Sequence, residues 1–317
     1  MTTNLGGRWI KAALLATAIS AAAGTAFAAG PSCLNAPASK IGLQLYSLAT
    51  ELRPPGPPAP PGTPRPQPAP VDPARLESVY AGLQAIGWKN VENYDGNWGL
   101  GDTGYKAVLD RHGMKMVASH DSLDDASFPA ALDRAKLLGQ TYIGSGGYGQ
   151  PGLDTLDNVL ATAAHLNKLG QMAAVRGLKF YVHNHQLEFK NTFPYDLDGD
   201  GKTETVSAWE IVEAKTDPRY VNFEIDVHWA HLAMGLDKYE DLTAFLAKHR
   251  KRIVLLHIKD TAPDGKIADL GRGTTDWSRI VAAAGPQIGY YLWEFDRPPN
   301  PMESAKIAYA FMSCGKK

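Results

Sequence analysis

Histidines and carboxylates recur in this sequence where short apolar runs give way to polar segments. Four such segments follow one another along the chain: 183–188 (HNHQLE), 224–229 (EIDVHW), 257–260 (HIKD) and 293–296 (WEFD). Imidazole and carboxylate groups together are usual ligands of divalent ions such as Mn, Fe, Co or Zn. If the apolar runs are strands of one parallel barrel, their ends meet in a single pocket. The spacing therefore predicts a metal site at the ends of the strands.

The elements that would position these side chains alternate strictly between strand and helix. The predicted strands are Ile41–Tyr46, Trp88–Asn93, Met114–Ser119, Thr141–Ser145, Leu178–His183, Tyr220–Asp226, Ile253–His257 and Tyr290–Phe295. The first helix has Asp72 as its cap and Pro73 at its first position, and Gly87 ends it. Alternation of this kind indicates a parallel sheet with right-handed crossovers.

At eight strands, the economical arrangement is a closed (β/α)8 TIM barrel, an α/β fold that forms one domain over residues 29–317. A doubly wound open sheet is the alternative. The first strand–helix turn lacks the glycine-rich dinucleotide fingerprint, which argues against the cofactor-binding form of that alternative.

The N-terminal segment has the features of a secretory signal peptide. Arg8 and Lys11 form a basic region, an apolar run covers residues 12–23, and residues 26–28 read Ala-Phe-Ala, a cleavage signal. We therefore expect removal of residues 1–28 and a periplasmic or secreted protein with no membrane attachment after cleavage. The apolar run is too short for a spanning helix, and an uncleaved anchor is the alternative.

Charge and cysteine content limit the partners and the compartment. The 32 basic and 33 acidic residues nearly balance, so we expect neither nucleic acid nor an anionic membrane as a partner. In a closed barrel the first strand and the last helix are neighbours, which brings Cys33 near Cys314. Export would provide an oxidising setting, so we expect these cysteines to form a disulfide; two free thiols are the alternative.

Two insertions interrupt the alternation. Residues 54–73 are rich in proline, which predicts a polyproline-like or disordered spacer over the barrel mouth rather than a recognition motif. Residues 196–207 begin with the D-x-D-x-D-G pattern of a calcium loop, formed by Asp196, Asp198 and Asp200. Ser207 stands at the twelfth position, where a bidentate Glu is usual. A structural Ca site and a plain acidic turn therefore both stay open.

Taken in order, several segments resemble the sugar phosphate isomerase/epimerase family of xylose isomerase-like TIM barrels. They are 41–47 (IGLQLYS), 87–92 (GWKNVE), 119–120 (SH), 181–185 (YVHNH), 188–189 (EF), 226–229 (DVHW), 257–260 (HIKD), 271–273 (GRG), 276–277 (DW) and Glu294.

The resemblance implies one divalent metal (Mn, Co, Fe, Zn or Mg) at the C-terminal mouth, with ligands from strands five to eight. Asp226, His257 and Glu294 match the last three ligands. The fifth-strand Glu of many members has no clean counterpart, so Glu188 or His185 is expected as the fourth.

These residue types suit proton transfer beside a carbonyl group. A Lewis-acidic ion polarises the carbonyl, and loss of the neighbouring proton gives an enediolate that can isomerise, epimerise or eliminate. The candidate proton carriers are His183 and Glu188, with Glu92 next. The candidates for contacting a sugar are His120, His185, Trp229 and Lys259.

The expected function is an exported, metal-dependent isomerase, epimerase or lyase whose partner is a small-molecule sugar. Export favours an unphosphorylated sugar or a keto-glycoside, because sugar phosphates are chiefly intracellular. The keto-glycosides follow from the resemblance, since some relatives act on them as lyases or hydratases. One alternative is a non-catalytic periplasmic sugar- or partner-binding barrel that needs no metal. Another is an abasic-site endonuclease on the same fold, which would need a basic DNA-binding face.

Overall fold

Eight parallel strands form one sheet in the computed structural model, which describes residues 33–34, 36–53 and 71–315. The strands, β1 to β8, are Ile41–Gln44, Asn90–Asn93, Lys115–Ser119, Tyr142–Ser145, Lys179–His183, Val221–Asp226, Ile253–Ile258 and Tyr290–Trp293. Strand β1 pairs with both β2 and β8, and the order continues to β3 on one side and β4 on the other. A parallel bridge between His120 and Gly144 joins β3 to β4. The predicted (β/α)8 barrel is confirmed.

Eight helices cover the outside of the barrel. These helices, α1 to α8, are Pro73–Ile86, Asp102–Arg111, Phe128–Leu137, Leu156–Val175, Ala208–Lys215, Tyr239–His249, Trp277–Ala284 and Pro301–Ser313. Helix α1 begins as expected, because the Asp72 carboxylate accepts the N–H of Ala74 at 3.0 Å. It ends at Gly87, whose φ of 119° is a conformation that glycine adopts without strain.

The loops at the C-terminal ends of the strands carry additional elements that periodicity did not predict. Short helices follow β1, β5 and β6, at Ala49–Leu52, Leu187–Lys190 and Val227–Met234. Two small antiparallel ribbons pair Thr192–Tyr195 with Glu204–Ser207 and Asp260–Thr261 with Ile267–Ala268. A 3-10 turn at Leu45–Leu48 follows β1, and another at Ala38–Lys40 precedes it. Most of these segments are too short to show the hydrophobic periodicity of a helix or a strand.

Alternation along each strand separates an apolar outer layer from the barrel interior. On β6, Phe223 and Ile225 belong to the core between sheet and helices, and the ring of Phe223 lies 4.8 Å from that of Trp209 on α5. Asn222, Glu224 and Asp226 take the other face of the same strand. Each strand therefore holds its helix with one set of side chains and presents the other set to the interior.

The termini of the described chain are joined covalently. Cys33 and Cys314 form a disulfide with a Cα–Cα distance of 5.1 Å across a sequence separation of 281. The N–H of Leu34 also donates to the carbonyl of Phe311 at 3.0 Å. The predicted pairing of the segment before β1 with the end of α8 is confirmed.

Further expectations concern the signal peptide, the two insertions and membrane spans. The signal peptide 1–28 lies outside the described residues, as does the proline-rich insertion except for residues 71–73. In the acidic loop, the Asp196 carboxylate accepts the N–H groups of Gly199 and Gly201 at 2.8 and 3.0 Å. Asp196, Asp198 and Asp200 lie together, but exposed carboxylates often group without an ion, so calcium binding stays a prediction. Within the described ranges no helix has both the length and the hydropathy needed to cross a membrane.

Removing the disulfide should lower the thermal stability of the protein. The chain-entropy model gives about 5.6 kcal/mol for a loop of this length, less any strain in the native state. We expect reductant to lower the melting temperature of the wild type while leaving the Cys33→Ser/Cys314→Ser double variant unchanged. Metal binding should be the same in both, because the bond lies far from the C-terminal ends of the strands. Two free thiols in denatured, unreduced protein would contradict this prediction.

Gly144→Ala should destabilise the barrel where β4 packs against β5. An added Cβ would lie 2.2 Å from the backbone carbonyl oxygen of Tyr181, and a backbone atom cannot move aside. We expect a loss of about 1–3 kcal/mol in the free energy of unfolding, measured by urea denaturation. Gly147→Ala is the matched control, because a Cβ there meets nothing within 4 Å. Equal stability of the two variants would refute the prediction.

Candidate metal centre

Four potential ligands meet where β5 to β8 end. The register of the sheet pairs His183 with Glu224 and Asp226 with His257. His183, Asp226, His257 and Glu294 each offer a ligand atom, and these four atoms all lie within 4.8 Å of one another. All four residues are buried. The barrel therefore gathers two imidazoles and two carboxylates from four different strand ends.

The distances within this group define a compact donor set. His257 Nδ1 lies 2.8 Å from Glu294 Oε2 and 4.0 Å from Asp226 Oδ2. His183 Nε2 lies 4.0 Å from the same Asp226 oxygen. Mixed nitrogen and oxygen donors of this kind suit a divalent transition ion. The residues present thus fit the metal that the sequence predicts.

Two further glutamates lie beneath this group and contact the imidazoles from the other side. Glu224 Oε2 is 3.1 Å from His183 Nδ1 and 3.1 Å from His257 Nε2. Glu92 Oε2 is 2.7 Å from His257 Nε2, and the hydroxyl of Tyr181 donates to Glu92 Oε1. Both glutamates are fully buried. Carboxylates behind metal-ligating histidines commonly orient the rings.

A lysine ammonium contributes a fixed positive charge. Lys259 Nζ lies 2.7 Å from Asp226 Oδ2, 2.8 Å from Glu294 Oε2 and 3.2 Å from Asp296 Oδ2. Burial disfavours the charged amine, but these carboxylates outweigh burial and raise the pKa of Lys259 above its ordinary value. The ammonium offsets part of the negative charge of the carboxylates at the C-terminal ends of the strands.

The two imidazoles of the donor set differ in protonation before any metal binds. Burial, and after it the neighbouring His257, lowers the pKa of His183 to about 3, so this ring is neutral near pH 7. Burial also opposes protonation of His257, but the Glu224, Glu294 and Glu92 carboxylates raise its pKa well above the ordinary value. A proton on His257 therefore balances charge that an ion would otherwise balance.

A cleft of about 380 Å³ opens above the donor set. Its lining consists of Tyr46, Tyr94, His120, Gly146, His183, His185, Trp229, Glu294, Asp296 and Arg297. The Tyr46 and Tyr94 rings meet edge to face with centroids 5.2 Å apart. Aromatic walls with a few polar groups are typical of small-ligand sites.

The structure brings together most of the residues singled out in the sequence. His120, His183, His185 and Trp229 line the cleft. Asp226 and His257 belong to the donor set, Glu92 lies beneath it, and Lys259 contacts its carboxylates. Glu188 does not join them: its carboxylate accepts the N–H of His185 at 3.1 Å. The chain turns after β5 and enters the helix Leu187–Lys190, which directs Glu188 back onto its own loop. The donor set thus contains His183 in the place expected for Glu188 or His185.

Sequence reasoning assigned no role to Glu224, Asp296, Tyr46 or Tyr94. A signal existed for two of them. Glu224 precedes Asp226 by two positions on one strand, so both face the interior, and Asp296 follows Glu294 by two. The tyrosines gave no such signal, since Tyr46 lies in the 3-10 turn after β1 and Tyr94 in the loop after β2.

Substituting any one of the four grouped residues should lower metal affinity. His183→Asn, Asp226→Asn, His257→Asn and Glu294→Gln each remove a donor, so we expect losses beyond the roughly 10–100-fold typical of outer-shell changes. Calorimetric titration of metal-stripped protein with Zn²⁺ or Co²⁺ measures the affinity, and circular dichroism checks the fold. Glu188→Gln should bind like the wild type. Unchanged affinity in the Asp226 and Glu294 variants would exclude this site.

Comparison with known proteins identifies relatives of the fold. The family model described as xylose isomerase-like TIM barrel matches residues 81–311. A sugar phosphate isomerase/epimerase structure from Parabacteroides distasonis is 21% identical, with 86% of this chain and 97% of that chain covered at a TM-score of 0.64. The probable 3-DHS dehydratase from Bacillus anthracis is 10% identical, with coverages of 85% and 97% and a TM-score of 0.60.

The 3-keto-D-glucoside 4-epimerase from E. coli is 15% identical, with coverages of 86% and 97% and a TM-score of 0.53. At these identities the structures show a shared fold. No curated protein sequence matches the chain.

Proposed function

Because this chain belongs to the xylose isomerase-like TIM barrel family, we propose that it is a metal-dependent sugar isomerase, epimerase or lyase. Its substrate would be an unphosphorylated sugar or keto-glycoside that reacts through an enediolate. The observation that carries the proposal is the donor set of two carboxylates and two imidazoles, which faces a single aromatic-walled cleft. The epimerase and dehydratase names of the similar structures support this class of reaction.

The metal would be held by His183, Asp226, His257 and Glu294. When bound there, a divalent ion supplies Lewis acidity to a carbonyl oxygen of the substrate. Two imidazoles in the set favour Zn, Fe, Co or Mn over Mg, which prefers oxygen ligands alone.

The cleft residues would bind and orient the sugar. Tyr46, Tyr94 and Trp229 offer ring faces and edges to the C–H groups of a pyranose, and His185 and Arg297 offer donors to its hydroxyls. Aromatic walls also exclude water from the reacting carbons, which protects a reactive enediolate from side reactions.

Proton transfer would be carried by side chains that line the cleft without belonging to the donor set. Asp296 faces the cleft and contacts the Lys259 ammonium at 3.2 Å, so its carboxylate can take a proton from a carbon beside the carbonyl. His120 lines the same cleft, and its Nε2 lies 2.9 Å from Glu224. Burial opposes protonation of His120, but Glu92 and Glu224 raise its pKa, which suits it to return a proton.

We further propose that the protein is exported and acts in the periplasm or outside the cell. The Cys33–Cys314 disulfide supports this proposal, because such bonds persist in oxidising compartments and are rare in the cytosol. The choice of an unphosphorylated substrate follows from this location.

Asp296→Asn should lower turnover on the order of 10²-fold or more while metal content is retained, because it removes the base but no donor. The assay is deuterium incorporation from D₂O into free sugars and keto-glycosides by Mn- or Co-loaded protein. Asp264→Asn is the matched control, since Asp264 pairs with Lys266 on the surface at 2.6 Å. If Glu188→Gln loses turnover and Asp296→Asn does not, the proton carrier is Glu188.

The same assay separates the enzyme from the non-catalytic alternative. Wild-type protein that binds sugars but exchanges no deuterium, with or without metal, would be a binding protein. Sugar binding by metal-stripped protein at full affinity would favour that outcome further, because a binding barrel needs no ion.

A further inference from the structure

We propose that Glu224 is the positioning residue that aims the metal-binding nitrogens of both His183 and His257 at one point. This role rests on the metal site of the proposed function and belongs to a residue that is not itself a ligand. Glu224 would act through the imidazoles, without touching the metal or the substrate.

One oxygen of Glu224 contacts the imidazole rings of three histidines. Glu224 Oε2 is 2.9 Å from His120 Nε2, 3.1 Å from His183 Nδ1 and 3.1 Å from His257 Nε2. These histidines come from the ends of β3, β5 and β7. The residue is fully buried on β6, and its other oxygen, Oε1, has no hydrogen-bond partner among the described residues. The three rings therefore account for its contacts.

The consequence for His183 is a defined tautomer. An ionised carboxylate only accepts hydrogen bonds, so the nitrogen facing it carries the proton. His183 Nδ1 then donates to Glu224, which leaves the lone pair on Nε2, the atom 4.0 Å from Asp226 Oδ2. A neutral imidazole with the opposite tautomer would present an N–H to the metal position and could not ligate an ion there.

His257 is oriented in the same way, but its Nε2 faces Glu224 and its Nδ1 faces the metal position. His257 Nε2 faces Glu224 and Glu92, so Nδ1 is the nitrogen left for an ion, and it lies among Asp226 and Glu294. Of the two ligand histidines, Glu92 contacts only His257, whereas Glu224 contacts both His183 and His257. Of the two glutamates, Glu224 is thus the one that can orient both imidazole rings.

A deeper metal position is the competing arrangement. His120, His183, Glu224 and His257 also place ligand atoms within 4.8 Å of one another. An ion there would use the opposite nitrogens of His183 and His257 and would be ligated by Glu224 itself. The group of His183, Asp226, His257 and Glu294 is favoured because it holds two carboxylates, whereas the deeper group holds one.

Glu224→Gln tests the proposal in the full-length mature protein. The Gln amide keeps the size but can donate a hydrogen bond, so His183 is no longer held in one tautomer. We expect Zn²⁺ affinity, measured by calorimetry on metal-stripped protein, to fall about 10–100-fold. In ¹⁵N-histidine NMR spectra of the metal-free protein, His183 should change from the Nδ1–H form towards the Nε2–H form. His183→Asn assigns the signal.

Glu213→Gln is the matched control, because Glu213 lies 3.6 Å from His249 Nδ1 on the helical face, away from the cleft. It should alter neither readout. Glu224→Asp keeps an acceptor-only carboxylate but withdraws it, so it should retain the His183 tautomer better than Gln and lose part of the affinity. It replaces the Gln variant if that variant does not fold.

The outcomes separate the possibilities. Unchanged affinity and tautomer in Glu224→Gln would overturn the positioning role. Loss of binding in Glu224→Gln with full binding in Asp226→Asn and Glu294→Gln would overturn it too, since Glu224 would then be a ligand of the deeper position. If the wild type binds no metal, the metal site of the proposed function fails instead, and the His183 tautomer alone decides the role of Glu224.

Discussion

The burial of four carboxylates in one barrel mouth is the constraint on which the rest of the site depends. Glu92, Glu224, Asp226 and Glu294 are all buried, and an uncompensated buried charge costs several kcal/mol. The Lys259 ammonium offsets part of this charge, and a proton on His257, whose pKa the same carboxylates raise, offsets more. A divalent ion among the same oxygens would serve the same purpose. The four carboxylates therefore require positive charge nearby, whether an ammonium, an imidazolium or a metal ion supplies it.

Strand alternation is what makes such a mouth compatible with a stable fold. The outward residues of each strand pack against helices, as Phe223 does against Trp209, so the apolar core does not depend on the interior face. The interior face near the C-terminal ends is then free to be polar. Deeper in the barrel the interior becomes apolar again, where Leu255 and Leu292 pack beneath the site. The donor set thus lies above a layer of buried apolar side chains.

The fold was largely predictable because its signals are local and repeated. Each strand is a short apolar run bounded by polar or glycine residues, and all eight were located to within two residues at either end. Convergence of strand ends in a parallel barrel predicted a pocket of histidines and carboxylates, and the resemblance to the sugar phosphate isomerase/epimerase family singled out Asp226, His257 and Glu294. The fourth member could not be chosen, since the path of the chain after His183 decides it. Neither spacing nor residue type indicates that Glu188 turns back to its own backbone.

Charge balance would also couple metal binding at this site to the release of a proton. Before an ion binds, a proton on His257 and the Lys259 ammonium stand between Asp226 and Glu294. His257 can ligate only after Nδ1 has lost its proton, whereas the low pKa of His183 leaves that ring ready. Entry of a dication would therefore replace the proton on His257 as a source of positive charge and would keep the carboxylates compensated. Such an exchange would let the buried cluster keep its charge balance with or without a metal on the same strands.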